Sequence, residues 1–151
     1  MEEAPQQGQP IAAPAFSPRP QQMMGFVDAL TTVFRNKYVT FSGRASRSEY
    51  WWSYLGYSVI AMVAWIVAFV VVLAVPDLAA VLLVPMLVAL AMIIPMLSVS
   101  VRRLHDTGKS GWMILIMMIP CIGIILWIVW MVEDGQAHDN AYGPVPTNTL
   151  E

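Results

Sequence analysis

The sequence predicts an all-α integral membrane protein with three transmembrane helices preceded by a short amphipathic interfacial helix. Two observations carry that expectation. Hydrophobic residues make up 58% of the 151 and charged residues only 12%, about half the charged share of a soluble domain. The apolar residues are also gathered into three uncharged blocks, 50–76, 78–101 and 110–132, each longer than the ~20 residues that a helix needs to cross a hydrocarbon core. Buried helices of a soluble core would keep polar faces, and these blocks have none. The first block starts far from the N-terminus with no short basic segment before it, so it reads as mature structure and not as a cleaved signal.

Residues 1–22 are rich in Pro and Gln, with Pro5, Pro10, Pro14, Pro18 and Pro20 among them, and are expected to form a disordered tail because they offer little to bury. Over 23–38, Met23, Phe26, Val27, Leu30, Val33, Phe34 and Tyr38 recur at spacings of three and four, while Asp28, Thr31, Arg35 and Asn36 take the opposite face. That pattern predicts an amphipathic helix lying in the membrane interface. Residues 39–146 then form the three-span domain, with helices expected at 47–75, 78–106 and 110–132. Ser46-Arg47-Ser48-Glu49 matches the S-x-x-E capping box that starts the first span. Trp51 and Trp52 fall at the depth where amphipathic rings anchor, and Trp112 and Tyr142 are expected to anchor likewise. Pro76-Asp77 leaves almost no connection before the second span, so the two spans make an antiparallel hairpin. Pro85, Pro95 and Pro120 each free a carbonyl one turn back and invite a kink. Residues 147–151 are a short tail whose last two residues are compatible with a cloning remnant.

Charge predicts orientation. With the N-terminus cytoplasmic and three crossings, all eight Lys and Arg residues fall inside, while Asp77, Glu133, Asp134, Asp139 and Glu151 fall outside. The positive-inside rule therefore places the N-terminus in the cytoplasm and the C-terminus on the periplasmic or extracellular side.

In that frame RRLHDTGKSGW, residues 102–112, is the cytoplasmic turn between the second and third spans. Arg102, Arg103 and His105 end a helix, where cations complement the dipole and meet lipid phosphates. Gly108 suits a C-terminal cap and Ser110 an N-cap. Thr-Gly-Lys-Ser resembles the end of a phosphate loop, but that motif needs a glycine at position 103, where Arg103 stands. His105 and Asp106 are too few ligands for a metal, with His138 expected across the membrane. No metal, cofactor or nucleic-acid partner is expected. The spans hold no carboxylate or histidine at mid-depth, which disfavours an ion-coupled carrier. A passive pore of several copies stays open, since Ala61, Ala64 and Ala68 offer a close-packing face.

The motifs FSGRASRSEYWW, RRLHDTGKSGW, IPCIG and GQAHDNAYGPVP, in that order, resemble the YhaH/YhaI family of small inner-membrane proteins, domain of unknown function 805, over about 34–146. Ala141 and Val145 stand where relatives often carry polar or charged residues. The resemblance implies a bacterial inner membrane and no particular chemistry. Hairpin geometry adds that the first span starts where the second ends. Arg44, Arg47 and Glu49 should therefore meet Arg102, Arg103 and Asp106 in one cytoplasmic cluster, with Glu49 paired to Arg102 or Arg103. Together with His105 and Lys109, this rim is expected to bind anionic lipid headgroups or a membrane protein partner. The expected function is that of a non-enzymatic scaffold or regulator, able to form homo-oligomers. An oligomeric small channel or passive transporter is the alternative, and a membrane enzyme the third reading.

Overall fold

The computed structural model of the chain describes residues 23–146, so the tails expected at 1–22 and 147–151 lie outside the described residues. Helix α1 (Phe26–Thr31) runs into a π-helical turn, Thr32–Asn36. Helix α2 spans Arg47–Ala74. A 3-10 stretch, Pro76–Leu82, leads into α3 (Leu83–Asp106). A second 3-10 stretch, Gly111–Met118, precedes α4 (Ile122–Val132). No strand occurs among the described residues beyond a single bridge between Asn140 and Gly143.

Two segments, Arg47–Ala74 and Pro76–Asp106, are long and apolar enough to cross a membrane. At 1.5 Å per residue, the 28 residues of α2 reach roughly 42 Å, more than the ~30 Å of a hydrocarbon core. Ser46 starts α2 as expected: its hydroxyl accepts from the Glu49 amide at 3.2 Å. The capping box is only half made, because the Glu49 carboxylate turns instead to Arg102.

The third block departs from expectation. In place of one helix over 110–132, the chain enters as a 3-10 arm, breaks at Pro120-Cys121 and returns as α4. Pro120 has no amide to continue a helix, and Cys121 takes a left-handed φ of 63°. Gly123 lets the arms close, since a Cβ there would collide with the Ile116 carbonyl and Met117 backbone. The 11 residues of α4 rise only about 16 Å, roughly half a hydrocarbon core. The block is a hairpin, and it brings the chain back to the end from which it left.

The helix expected over 23–38 is shorter than that range. Its turn at Thr32–Asn36 closes with Lys37 N donating to Thr32 O at 2.8 Å, five residues apart, and this wide turn rotates the face that follows. Ala29 and Val33 are buried, whereas Phe26 and Val27 point outward. The Ser53 hydroxyl donates to Ala29 O at 3.4 Å, and Gly56 leaves room for Leu30. One face of α1 thus packs on α2.

The core sits at one end. In α2 the buried residues are Ser48, Glu49, Tyr50, Ser53 and Gly56, followed only by Ala68. In α3 they gather from Ser98 to Asp106, beyond Pro85 and Pro95. Val33, Ala45, Tyr50, Val99, Leu104, Trp130 and Met131 form the apolar cluster beneath the charged groups.

Candidate functional site

At this end Arg44, Glu49, Arg102, Arg103 and Asp106 are all buried, none more than 5% exposed. Each is placed by local structure. Arg44 and Ala45 lie on the loop entering α2, and Ala45 N donates to Arg102 O at 3.0 Å, stitching that loop to α3. Glu49 is in the first turn of α2. Arg102, Arg103 and Asp106 lie in the last turns of α3, which Gly108 ends with a φ of 77°.

Two ionic systems result. Arg102 Nη1 bonds Glu49 Oε1, so the pair expected from the sequence forms with Arg102. Asp106 is clamped from both sides: Arg103 Nη1 donates to its Oδ2 at 2.6 Å, and Arg44 Nε donates to its Oδ1 at 2.8 Å. Charge-assisted hydrogen bonds of this kind are among the strongest side-chain contacts.

The tail completes the cluster, packing at the end where α2 begins and α3 closes and not at the far end expected after a third full-length helix. Arg44 donates to Gln136 O at 2.5 Å and His138 O at 2.8 Å. Arg103 Nη2 donates to Glu133 O. Gln136 N donates to Asp106 O at 2.9 Å, and Gly135 fits because a Cβ there would strike the Asp106 carboxylate. The returning hairpin is the physical reason: α4 ends beside the residues at which the first arm began.

The remaining expected residues follow from that return. Arg47 pairs with Asp134 at 3.0 Å and donates to Val132 O at 3.1 Å. Lys109 pairs with Glu133 and lies 5.9 Å from the Trp130 ring centre. His105 bonds Gly43 O through Nδ1 at 3.1 Å. Its ring stacks on Tyr142 at 3.9 Å and 2°, which places Tyr142 at the cluster. Trp112 is 80% exposed, and Trp51 and Trp52 are also exposed. His138, expected across the membrane from His105, lies at the same end through its carbonyl.

Charge counting changes with the topology. At this end of the α2–α3 pair, the seven basic residues of 23–146 lie together with Asp28, Glu49, Asp106, Glu133, Asp134 and Asp139. The rim is nearly balanced, and Arg44, Arg102 and Arg103 are engaged inward.

Two residues of the cluster were not given a site role from the sequence: Asn140, which falls on the family pattern, and Ser98. Asn140 Nδ2 donates to His105 O and to Gln136 Oε1, both at 2.9 Å. Ser98, wholly buried, donates to Thr40 O at 2.6 Å and pins the loop before α2 to α3. A serine in an apolar span is a usable signal, since a polar group there needs a partner. The pairing of Glu133 and Asp134 with Lys109 and Arg47 could have been found by matching charges between segments.

The family model of a protein of unknown function, DUF805, matches residues 38–144. Inner membrane protein YhaI of Escherichia coli (strain K12) is 36% identical over 115 residues, covering 76% of this chain and 92% of the relative. Inner membrane protein YhaH of the same organism is 32% identical over 120 residues, covering 80% and 97%. No solved structure matches the chain significantly. The matched region begins just before Arg44 and closes just after Gly143, enclosing the whole cluster, and the chain belongs to the DUF805 family.

Proposed function

We propose that the protein is a non-enzymatic scaffold or regulator of the inner membrane, with both ends of the described chain on the cytoplasmic side and a polar end that engages lipid headgroups or a membrane protein. One observation carries the reading: the Arg44 guanidinium bridges Asp106 of α3 to the tail carbonyls of Gln136 and His138. Oxygens of both buried carboxylates are held by arginines, an arrangement that suits joining elements better than proton transfer. The hairpin leaves two crossings, so all seven basic residues of 23–146 share one side and only Asp77 occupies the far connection. The positive-inside rule then favours a cytoplasmic polar end.

A periplasm-only reporter tests this. Inserted at Asp77 it should be active, and placed at Gly108 or after Tyr142 it should be silent. Activity after Tyr142 as well as at Asp77, with Gly108 silent, would restore a third crossing and sink the reading. Native mass spectrometry from mild detergent would then report copy number and any retained partner.

A passive pore remains the second reading, favoured by the break at Pro120-Cys121, because non-helical backbone at membrane depth is tolerated where protein or a water-filled path covers it. Solute flux through liposomes holding the purified chain would support it.

A further inference from the structure

We propose that this protein holds one anionic phospholipid in two adjoining cavities at its polar end, the phosphate beside Lys37 and an acyl chain along the start of α2. The first cavity, about 270 Å³, has Lys37, Arg44, Ser46 and Glu49 on its walls and Pro144–Pro146 of the tail over it. The second, about 480 Å³, is an open and mainly apolar groove lined by Met23, Arg47, Ser48, Trp51, Trp52 and Leu55. The two touch. Met23 lines the groove and Met24 the pocket, and the Ser46 and Ser48 hydroxyls, one in each lining, are 3.0 Å apart. A single occupant of both must be polar at one end and apolar at the other.

The sign of its charge follows from the cluster. Three buried guanidiniums, those of Arg44, Arg102 and Arg103, face two buried carboxylates, Glu49 and Asp106. Uncompensated buried charge is costly. Arg102 is wholly buried, yet its Nε and Nη2 have no acceptor among the described residues, and its one carboxylate partner, Glu49, forms a wall of the pocket. Lys37 adds a further cation. Its ammonium has no partner among the described residues, while its backbone carbonyl is fixed by the Ser98 hydroxyl at 3.1 Å. Arg102 lines neither cavity, so a phosphate in the pocket would answer the Lys37 ammonium directly and the excess of buried guanidiniums only through the field, and Trp51 and Trp52 stand where rings meet headgroups. A free phosphate has the same charge and would satisfy the pocket, but not the groove.

The inference rests on the reading above only in placing the polar end at headgroup level, and the reporter insertions test that placement independently of lipid. The purified full chain in mild detergent would be titrated with a short-chain phosphatidylglycerol, its phosphocholine counterpart and inorganic phosphate, with bound mass read by native mass spectrometry. The expected result is one phosphatidylglycerol per chain, held more tightly than either competitor. Lys37→Gln should weaken it about fivefold, Lys37→Arg should restore it, and Leu55→Trp, which fills the groove without changing charge, should weaken it too. Equal retention by wild type and folded Lys37→Gln would overturn the proposal. So would inorganic phosphate competing as well as the lipid, with Leu55→Trp neutral. If Lys37→Gln does not fold, salt titration of the wild type decides: retention that falls with salt supports the pocket, and retention indifferent to salt overturns it.

Discussion

The two ends of the α2–α3 pair are built on opposite principles. Toward the Pro76–Leu82 connection, α2 and α3 expose Ile66, Phe69, Leu73, Leu83 and Leu87, and no residue of the connection itself is buried. At the other end arginine, glutamate, aspartate and serine are buried above a small apolar cluster. In water this would be an inversion. In a bilayer it is expected, because lipid tails are as apolar as leucine and give two apolar helices little reason to associate. Specific tertiary structure must then come from polar groups and close packing, and those are concentrated where Arg44, Glu49, Arg102, Arg103 and Asp106 meet.

Mutations can break that contrast. Asp106→Ala should have the largest effect, about 3–5 kcal/mol, because it strands Arg44 and Arg103 in a buried site. Thermal unfolding in detergent would measure it, and a loss below about 1 kcal/mol would mean that water reaches the cluster freely. Next comes the Glu49–Arg102 pair. Since Glu49 caps through its backbone amide and not its carboxylate, Glu49→Gln and Glu49→Ala should be similarly harmful. A double-mutant cycle with Arg102→Gln should show coupling of about 0.5–3 kcal/mol. Additivity in that cycle would separate the two motifs energetically.

Smaller effects sharpen the same comparison. Ser46→Ala removes the acceptor for the Glu49 amide and should cost about 1 kcal/mol, the usual loss for an N-cap. Leu87→Ala, on the exposed apolar flank of α3, should cost less than about 0.5 kcal/mol in detergent. A cost at Leu87 matching that at Ser46 would show that the far end is packed against something in the purified state.

Much of this was readable from residues alone. The blocks 50–76 and 78–101 became α2 and α3 because a helix satisfies its own backbone in lipid, leaving few alternatives for so long an uncharged run. The Ser46 cap and the meeting of FSGRASRSE with RRLHD followed from local hydrogen bonding and hairpin geometry. The block at 110–132 misled because hydropathy counts residues and not turns. Its composition suits a span, and Pro120 alone signals only a kink. The hairpin also needs the left-handed Cys121 and the close approach allowed by Gly123, and neither is visible in a hydropathy pattern.

The sequence by itself determined that this chain sits in a membrane, where its two long helices lie, and which charged motifs meet at their shared end, since each depends on local composition or on neighbours joined by a short connection. Tertiary structure alone decided where the tail goes. A charge at Glu133 or Asp134 fits either side of a membrane when only its own segment is considered. It is the carbonyls of Glu133, Gln136 and His138, meeting guanidiniums 30 to 94 residues away in the chain, that return the tail to the cluster, because buried arginine N–H groups need acceptors and those carbonyls supply them.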